Sequence, residues 1–266
     1  MTEPRYVRIA LRIATIGVLA FIYLPIGVLF IYAFNASRIQ VWPPSDFTLH
    51  WFNEAFGNPA ILKAFTNSIL AATTATILAL VLGTLAALAV QRYDFFGKHS
   101  ISFVFLLPLA LPGVITGIAL RTSYTTFGVD LGLMTIIVGH ATFCIVVVFN
   151  NVGARLRRLP RTPEEASADL GADSLTTFRR VTFPGMRTAL LAGALLAFGL
   201  SFDEIIVTIF TAGAGTQTIP LWIYSAIQRP NELPVVNVVA VVLILLSVIP
   251  VYIAQRISGD VTNSRL

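Results

Sequence analysis

Repeated apolar stretches of about 20 residues constrain this chain more than any other feature, because a helix of that length crosses the hydrocarbon core of a bilayer. Charged residues make up only 12% of the chain, about half the fraction that soluble domains carry. Six segments are long enough to span a membrane, so we expect an all-α membrane protein forming one transmembrane domain over residues 1–266. These segments are 11–34, 64–90, 100–122, 134–151, 188–211 and 234–255.

The placement of lysine and arginine predicts how these spans are oriented. If the amino terminus lies inside, most of the 18 Lys and Arg residues fall in segments on the cytoplasmic side. The exceptions are Arg38, Lys63, Arg121 and Arg229. This asymmetry is what the positive-inside rule describes, so we expect both termini in the cytoplasm. The formal charge of +5 then needs no nucleic-acid partner to explain it.

One connection, residues 152–187, is much longer than the others and is expected on the cytoplasmic side. It contains signals for the start and the end of a short helix. Thr162 is a candidate N-cap, with Pro163 at the first helical position and Glu165 three residues after the cap, which is the pattern of a capping box. Gly171 fits the position just after a helix, where a positive φ is often required.

The same loop predicts a second short helix near Ser174 to Val181, ending before Pro184. A capped helix that two spans hold below the membrane favours a docking element. The helix signals alone are equally compatible with a simple surface linker, so they leave both interpretations open.

The residues of this loop resemble a known pattern. Glu165-Ala166-Ser167, three residues, Gly171, nine residues and the string VTFP ending at Pro184 match EAA-x3-G-x9-I-x-L-P without a gap. That pattern is the hallmark of the membrane subunits of ABC importers. There are two conservative departures: Ser167 replaces the second alanine, and Val181 and Phe183 replace isoleucine and leucine. In that family the loop forms a coupling helix that sits in a groove of the ATPase subunit. The resemblance implies an ATPase-coupling role for Glu165, Ala166, Ser167, Gly171 and Pro184.

The likeness extends over nearly the whole chain, and it is most similar to the spermidine/putrescine-type permeases, in particular their second, C-type subunit. It is carried by IYLPIGVLFIYAFNASR, LAVQRYDFFGKHS, VGHATFCIVVV and LSFDEIIVTIFTAG, the last followed by TIPLWIYSAIQ. The resemblance implies a type I ABC-importer permease fold in the inner (cytoplasmic) membrane. It also implies a homologous sister permease, two copies of an ABC ATPase that bind ATP and magnesium, and an extracytoplasmic solute-binding protein. It implies no cofactor in this chain.

Asp203 and Glu204 form an acidic pair inside the fifth predicted span. Counted from the cytoplasmic start of that span, Asp203 lies about 24 Å along a helix that crosses a core of about 30 Å. A carboxylate at that depth is a functional candidate, and adjacent helix positions differ by about 100°, so the two acids cannot both line one narrow path. The pair either attracts a cationic solute, with Trp222 and Tyr224 adding cation–π contacts, or forms a clamp with a helix neighbour such as Arg121.

Other chemistry has little support in the sequence. Cys144 is the only cysteine and the three histidines are scattered, so we expect no metal site and no intrachain disulfide. Neither lysine ends a GxxxxGK[ST] sequence, so the chain has no P-loop, and no catalytic residues are predicted.

The leading hypothesis is therefore an importer subunit for a polyamine or a related small cation. An amino acid, 4-aminobutyrate and betaine are the alternative solutes. An intramembrane lipid or cell-wall enzyme would have only the acidic pair for catalysis and would leave the EAA-type loop unexplained. A channel would not need the docking helix.

Overall fold

The computed structural model describes residues 4–44 and 46–263, and for residues 99, 106, 109, 250, 251 and 253–263 it describes the backbone only. Within these residues the chain is helical, and the only β pairing is an isolated bridge between Asn35 and Phe47. The all-α class expected from the apolar stretches is confirmed.

The chain divides into two compact units, and each is described by itself. The smaller unit comprises Met1–Ile61 and Ile223–Leu246. It contains α1 (Arg5–Ala33) and α2 (His50–Gly57). The connection between these two helices is held by the buried Trp51, whose indole Nε1 donates to the carbonyl oxygen of Asn35 at 2.8 Å. The most apolar part of α1 is not buried against other residues of the chain, as expected of a helix surrounded by lipid.

The larger unit comprises Leu62–Trp222 and Ser247–Leu266. Three helices contribute residues to both units: α3 (Pro59–Arg92), α11 (Ile219–Ala226) and α12 (Leu233–Asn263), with a 3-10 turn at Pro230–Glu232 between the last two. The other helices of the larger unit are α4 (Lys98–Ala110), α5 (Gly113–Thr126), α6 (Leu133–Arg158), α7 (Thr162–Asp169), α8 (Ser174–Thr177), α9 (Phe183–Phe202) and α10 (Ile206–Thr211).

Helix α6 lies at the centre of the larger unit and packs against α3 and α9 through small and β-branched side chains. The buried residues of this cluster include Ala79, Ala87, Val148, Val152 and Ala197. The backbones approach so closely that a Cβ at Gly83 would lie 2.8 Å from the carbonyl oxygen of Ile145 on α6. Close packing through small residues is how helices associate in a membrane, where lipid removes the hydrophobic driving force between them.

The third predicted span, 100–122, is not one helix. It is broken between α4 and α5, where Leu111 is extended, with φ −79° and ψ 140°, and Pro112 precedes the first residue of α5. Proline lacks an N–H and disfavours helical dihedrals in the residue before it, which explains the break at this point. Among the described residues, five helices rather than six are long and apolar enough to cross a membrane. They are Arg5–Ala33, Pro59–Arg92, Leu133–Arg158, Ser174–Phe202 and Pro230–Ile249.

The fifth predicted span, 188–211, differs from the expectation at both ends. The second loop helix does not stop before Pro184, because α8 continues through a π-helical turn at Phe178–Thr182 into α9. The i→i+5 bonding of that turn accommodates the missing N–H of Pro184. At the other end α9 stops at Phe202, and the helix resumes as α10 only at Ile206.

Candidate functional site

The first turn of α7 does not form the capping box that the sequence predicts. Thr162 is already the first helical residue, Pro163 is the second, and Arg161 occupies the N-cap position with no side-chain cap. The carbonyl oxygen of Arg161 accepts from the backbone N–H groups of Glu164 and Glu165, at 2.9 and 3.0 Å. The helix therefore begins one residue earlier than predicted, and Thr162 is not at the N-cap position.

The end of α7 matches the prediction. Gly171 has φ +83°, and its N–H donates to the carbonyl oxygen of Ala168 at 2.8 Å. The N–H of Ala172 donates to the carbonyl oxygen of Ser167 at 3.1 Å. These two bonds make a Schellman motif, in which glycine supplies the left-handed conformation at no steric cost. The role of Gly171 as the helix stop is confirmed.

The face that α7 presents to solvent is the candidate docking surface. Glu165, Ala166 and Gly171 are exposed, and Leu170 has 89% of its surface exposed immediately after the helix. Ser167 is half-buried, and its hydroxyl lies 3.0 Å from the Thr177 hydroxyl, so it holds α7 against α8. Thus three of the motif residues are available to a partner, whereas Ser167 supports the fold of the loop.

The structure separates the remaining motif residue from this surface. Pro184 is exposed in the first turn of α9, beyond the π-helical turn.

The start of α8 lies between the docking surface and Pro184, and there Asp173 accepts from the N–H of Thr176 at 2.9 Å. Hydrogen bonds from Thr176 hold the pKa of the Asp173 carboxyl below its ordinary value. Asp173 is thus an N-cap that the sequence reading did not assign.

Glu164, which precedes the EAA-type motif, has the most contacts of the loop carboxylates. Its Oε2 lies 2.9 Å from Nε of Arg92 at the end of α3, and its Oε1 accepts from Nη2 of Arg92 at 3.0 Å. The same Oε1 accepts from the hydroxyl of Thr182 at 2.9 Å. Only 13% of the Arg92 side chain and 20% of the Glu164 side chain are exposed. Sequence reasoning missed this pair, because 72 residues separate its members and no local pattern joins them.

The break between α9 and α10 separates the two acids of the fifth predicted span. Asp203 is the exposed C-cap of α9, and its own N–H donates to the carbonyl oxygen of Gly199 at 3.2 Å. Glu204 is half-buried, and its Oε1 accepts from the backbone N–H of Val207 at 2.8 Å in the first turn of α10. Neither carboxylate forms a salt bridge with Arg121 in the part of the chain that the structure describes. Glu204 organises the break, and Asp203 is open to solvent.

His140 on α6 ties the two sides of this break together. Its Nδ1 lies 2.8 Å from the hydroxyl of Ser201 at the end of α9, and its Nε2 lies 2.8 Å from the hydroxyl of Thr208 on α10. The three side chains are buried. These contacts give His140 a structural role. The neighbouring Cys144 is also buried, with Sγ 3.3 Å from the carbonyl oxygen of Ala197.

The aromatic candidates differ in exposure. Trp222, in the larger unit, is buried, with 4% of its surface exposed. Tyr224, in the smaller unit, is 51% exposed. The start of α11 is fixed to α3 by two bonds, from the N–H of Ile219 to the Ser68 hydroxyl at 2.8 Å and from Nδ2 of Asn67 to the carbonyl oxygen of Gln217 at 2.9 Å. Any contact of Trp222 with a solute stays a prediction.

A helical membrane chain with an exposed, capped loop helix of the EAA type has the architecture of an importer permease. Residues 79–262 match the family described as "Binding-protein-dependent transport system inner membrane component". The chain belongs to this family, and it is an inner-membrane permease of the ABC-importer class rather than an enzyme.

Named relatives agree with this assignment. The chain is 32% identical over 248 residues to the spermidine/putrescine transport system permease protein PotC of Escherichia coli (strain K12), covering 93% of each chain. It is 33% identical over 232 residues to the putrescine transport system permease protein PotI of the same organism, covering 84% of this chain and 82% of PotI. The crystal structure of a bacterial ABC transporter involved in the import of the acidic polysaccharide alginate superposes with a TM-score of 0.72 at 17% identity, over 98% of this chain and 99% of that chain. The expected ABC-importer permease fold is confirmed.

Proposed function

We propose that this chain is a membrane subunit of an importer for spermidine, putrescine or a related small cation. The observation that carries the solute class is the likeness to two polyamine permeases over 93% and 84% of the chain. The chemistry of the break in the fifth span supports it, because Asp203 offers an exposed carboxylate that a polyammonium solute can pair with. A carboxylate there would repel an anionic solute.

The proposed transport unit contains two membrane subunits, this chain and a homologous sister, together with two copies of an ABC ATPase. Both termini and helix α7 lie on the cytoplasmic side, as the distribution of lysine and arginine favours. Exposed Glu165, Ala166 and Leu170 dock α7 into the ATPase, which binds ATP and magnesium. An extracytoplasmic binding protein delivers the solute. Alternating access then follows from ATP-driven movement of α7.

Within the solute path, the two acids are assigned different tasks. Asp203 contacts the solute, since it is exposed and its carboxylate forms no ion pair among the residues that the structure describes. Glu204 holds the start of α10 through Val207. Tyr224, in the smaller unit, is exposed, and its cation–π contact with a solute stays a prediction. An unpaired ammonium in a low-dielectric path would cost several kcal/mol, so an acceptor of this kind is required.

The test is solute-stimulated ATP hydrolysis and uptake by the full complex in proteoliposomes, with the binding protein present. Putrescine and spermidine are compared with 4-aminobutyrate, betaine and a neutral amino acid at equal concentration. We expect stimulation by at least one polyamine and little by the others. Stimulation by betaine or 4-aminobutyrate alone would leave the importer class intact and overturn the solute assignment.

A further inference from the structure

Glu164 joins three elements of the larger unit at one point. It lies in the first turn of α7, contacts Arg92 at the last residue of α3, and accepts from Thr182 in the π-helical turn that leads into α9. Both members of the ion pair are largely withdrawn from solvent. Nη2 of Arg92 makes a charge-assisted hydrogen bond to the carboxylate, whereas Nε lies within ion-pair distance of Oε2 without hydrogen-bond geometry.

The link between α7 and α3 differs from the links between α7 and its other neighbours, because no short backbone connection supports it. Helix α7 is joined to α6 and to α8 by short covalent connections, so movement reaches those helices through the backbone. No such connection joins α7 to α3, which lies more than 60 residues earlier in the chain. Two side-chain contacts join them instead, the Arg92–Glu164 pair and a hydrogen bond from Nη2 of Arg161 to the carbonyl oxygen of Gln91 at 2.9 Å.

The charges also complement the helix ends that they join. Arg92 is a cation in the last turn of α3, where the helix dipole is negative. Glu164 is an anion in the first turn of α7, where the dipole is positive. The pair therefore stabilises both helix ends and also connects them, and Glu164 is not free to serve the docking surface as Glu165 is.

We propose that α7 and the cytoplasmic end of α3 move as one rigid body throughout the transport cycle, with Glu164 as the positioning residue that holds them together. This inference rests on the proposed docking of α7 to an ATPase. Displacement of α7 then reaches α3 directly, and α3 passes it on to α6 through the residues between Ala79 and Val90 that pack against α6. The opposite arrangement is a latch that opens in each cycle, and the two make different predictions.

The first experiment measures coupling in the full complex in proteoliposomes, as putrescine or spermidine taken up per ATP hydrolysed. Glu164→Gln keeps an acceptor for Thr182 but removes the charge that holds Arg92. We expect uptake per ATP to fall on the order of tenfold, while the ATPase still copurifies. The matched control is Asp94→Asn, which removes the exposed pair between Lys98 and Asp94 (3.0 Å) in the same region and should leave the ratio unchanged.

The second experiment distinguishes a rigid joint from a latch. In a Cys144→Ser background, which removes the single cysteine, Arg92→Cys and Glu164→Cys are introduced together and joined by a short bifunctional methanethiosulfonate. We expect the unlinked double variant to couple poorly and the linked protein to regain coupling. Loss of uptake on linking, with recovery on reduction, would mean that the two helices separate in each cycle and would overturn the proposal.

The two levels of inference fail in different ways. If the wild-type complex shows no solute-stimulated ATP hydrolysis with any polyamine tested, the proposed function fails. If the wild-type complex works and Glu164→Gln couples as well as Asp94→Asn, the function stands and the joint between α7 and α3 is refuted.

Discussion

The hydrogen bonds of His140 lead to a specific prediction about its tautomer. The hydroxyl of Thr208 donates its only proton to the carbonyl oxygen of Glu204, at 2.9 Å. It must therefore accept from Nε2–H of His140, which leaves Nδ1 to accept from the Ser201 hydroxyl. The network is a directed chain of donors that runs from the end of α9, through α6, to the backbone of the break.

Replacing His140 by leucine removes both interhelical bonds at nearly constant volume. Measured interhelical hydrogen bonds in a membrane protein average about 0.6 kcal/mol and reach about 1.7 kcal/mol. Two such bonds therefore stabilise the fold by roughly 1–3 kcal/mol, the range that we expect His140→Leu to lose. Because Ser201 is buried, its stranded hydroxyl places the loss towards the upper end of the range.

The assay is equilibrium unfolding in mixed detergent micelles, followed by helical circular dichroism. Thr142→Val is the matched control, since the Thr142 hydroxyl donates to the carbonyl oxygen of Gly139 within its own helix, at 2.6 Å. A His140→Leu protein as stable as this control would refute the clamp. Solid-state NMR of the labelled imidazole checks the tautomer separately, and a proton on Nδ1 rather than Nε2 would refute the directed network.

Three further predictions test other parts of the molecule. Glu165→Lys, which changes the charge of the docking helix, and Gly171→Asp, which disturbs its left-handed end, should each abolish uptake while the protein still inserts. Wild-type uptake and ATPase copurification in both variants would exclude α7 as the coupling element. Asp203→Asn should reduce polyamine uptake more than it reduces thermal stability, whereas Glu204→Gln should mainly lower the melting temperature; unchanged uptake in both would remove the acids from the path. Gly83→Val should lower stability by at least about 2 kcal/mol, because its side chain would overlap a carbonyl of α6 only 2.8 Å from the Cβ position, and a melting temperature equal to wild type would contradict the close packing.

Local signals in the sequence predicted the features that depend on neighbouring residues. The apolar runs identified α1, α3 and α6, because length and composition alone decide whether a helix can cross a membrane. Gly171 was identified as the helix stop because a left-handed residue at that position is a local backbone requirement.

The features that sequence reasoning missed depend on contacts between distant segments. The stretch 188–211 is apolar apart from its acidic pair, so nothing local places a break after Phe202, whereas His140, more than 60 residues earlier, holds that break. The Arg92–Glu164 pair could not be predicted either, because its members are 72 residues apart in the sequence. The prediction of a capping box was wrong because Arg161 has helical dihedral angles, φ −80° and ψ −21°, so that α7 starts one residue early. The sequence Thr-Pro-Glu-Glu does not indicate this backbone conformation.

The helical segment from Ser174 to Phe202 is uninterrupted and can move as one stiff rod. Its 29 residues extend about 43 Å, well beyond the roughly 30 Å thickness of the hydrocarbon core, so one end projects from the membrane. A stiff rod of that length turned by about 10° about one end displaces its far end by about 7 Å. That sweep exceeds one full turn of helix. A modest rotation of this helix is therefore enough to displace Asp203 at its end, with no unfolding and no sliding along its axis, and α6, to which His140 ties that end, must turn with it.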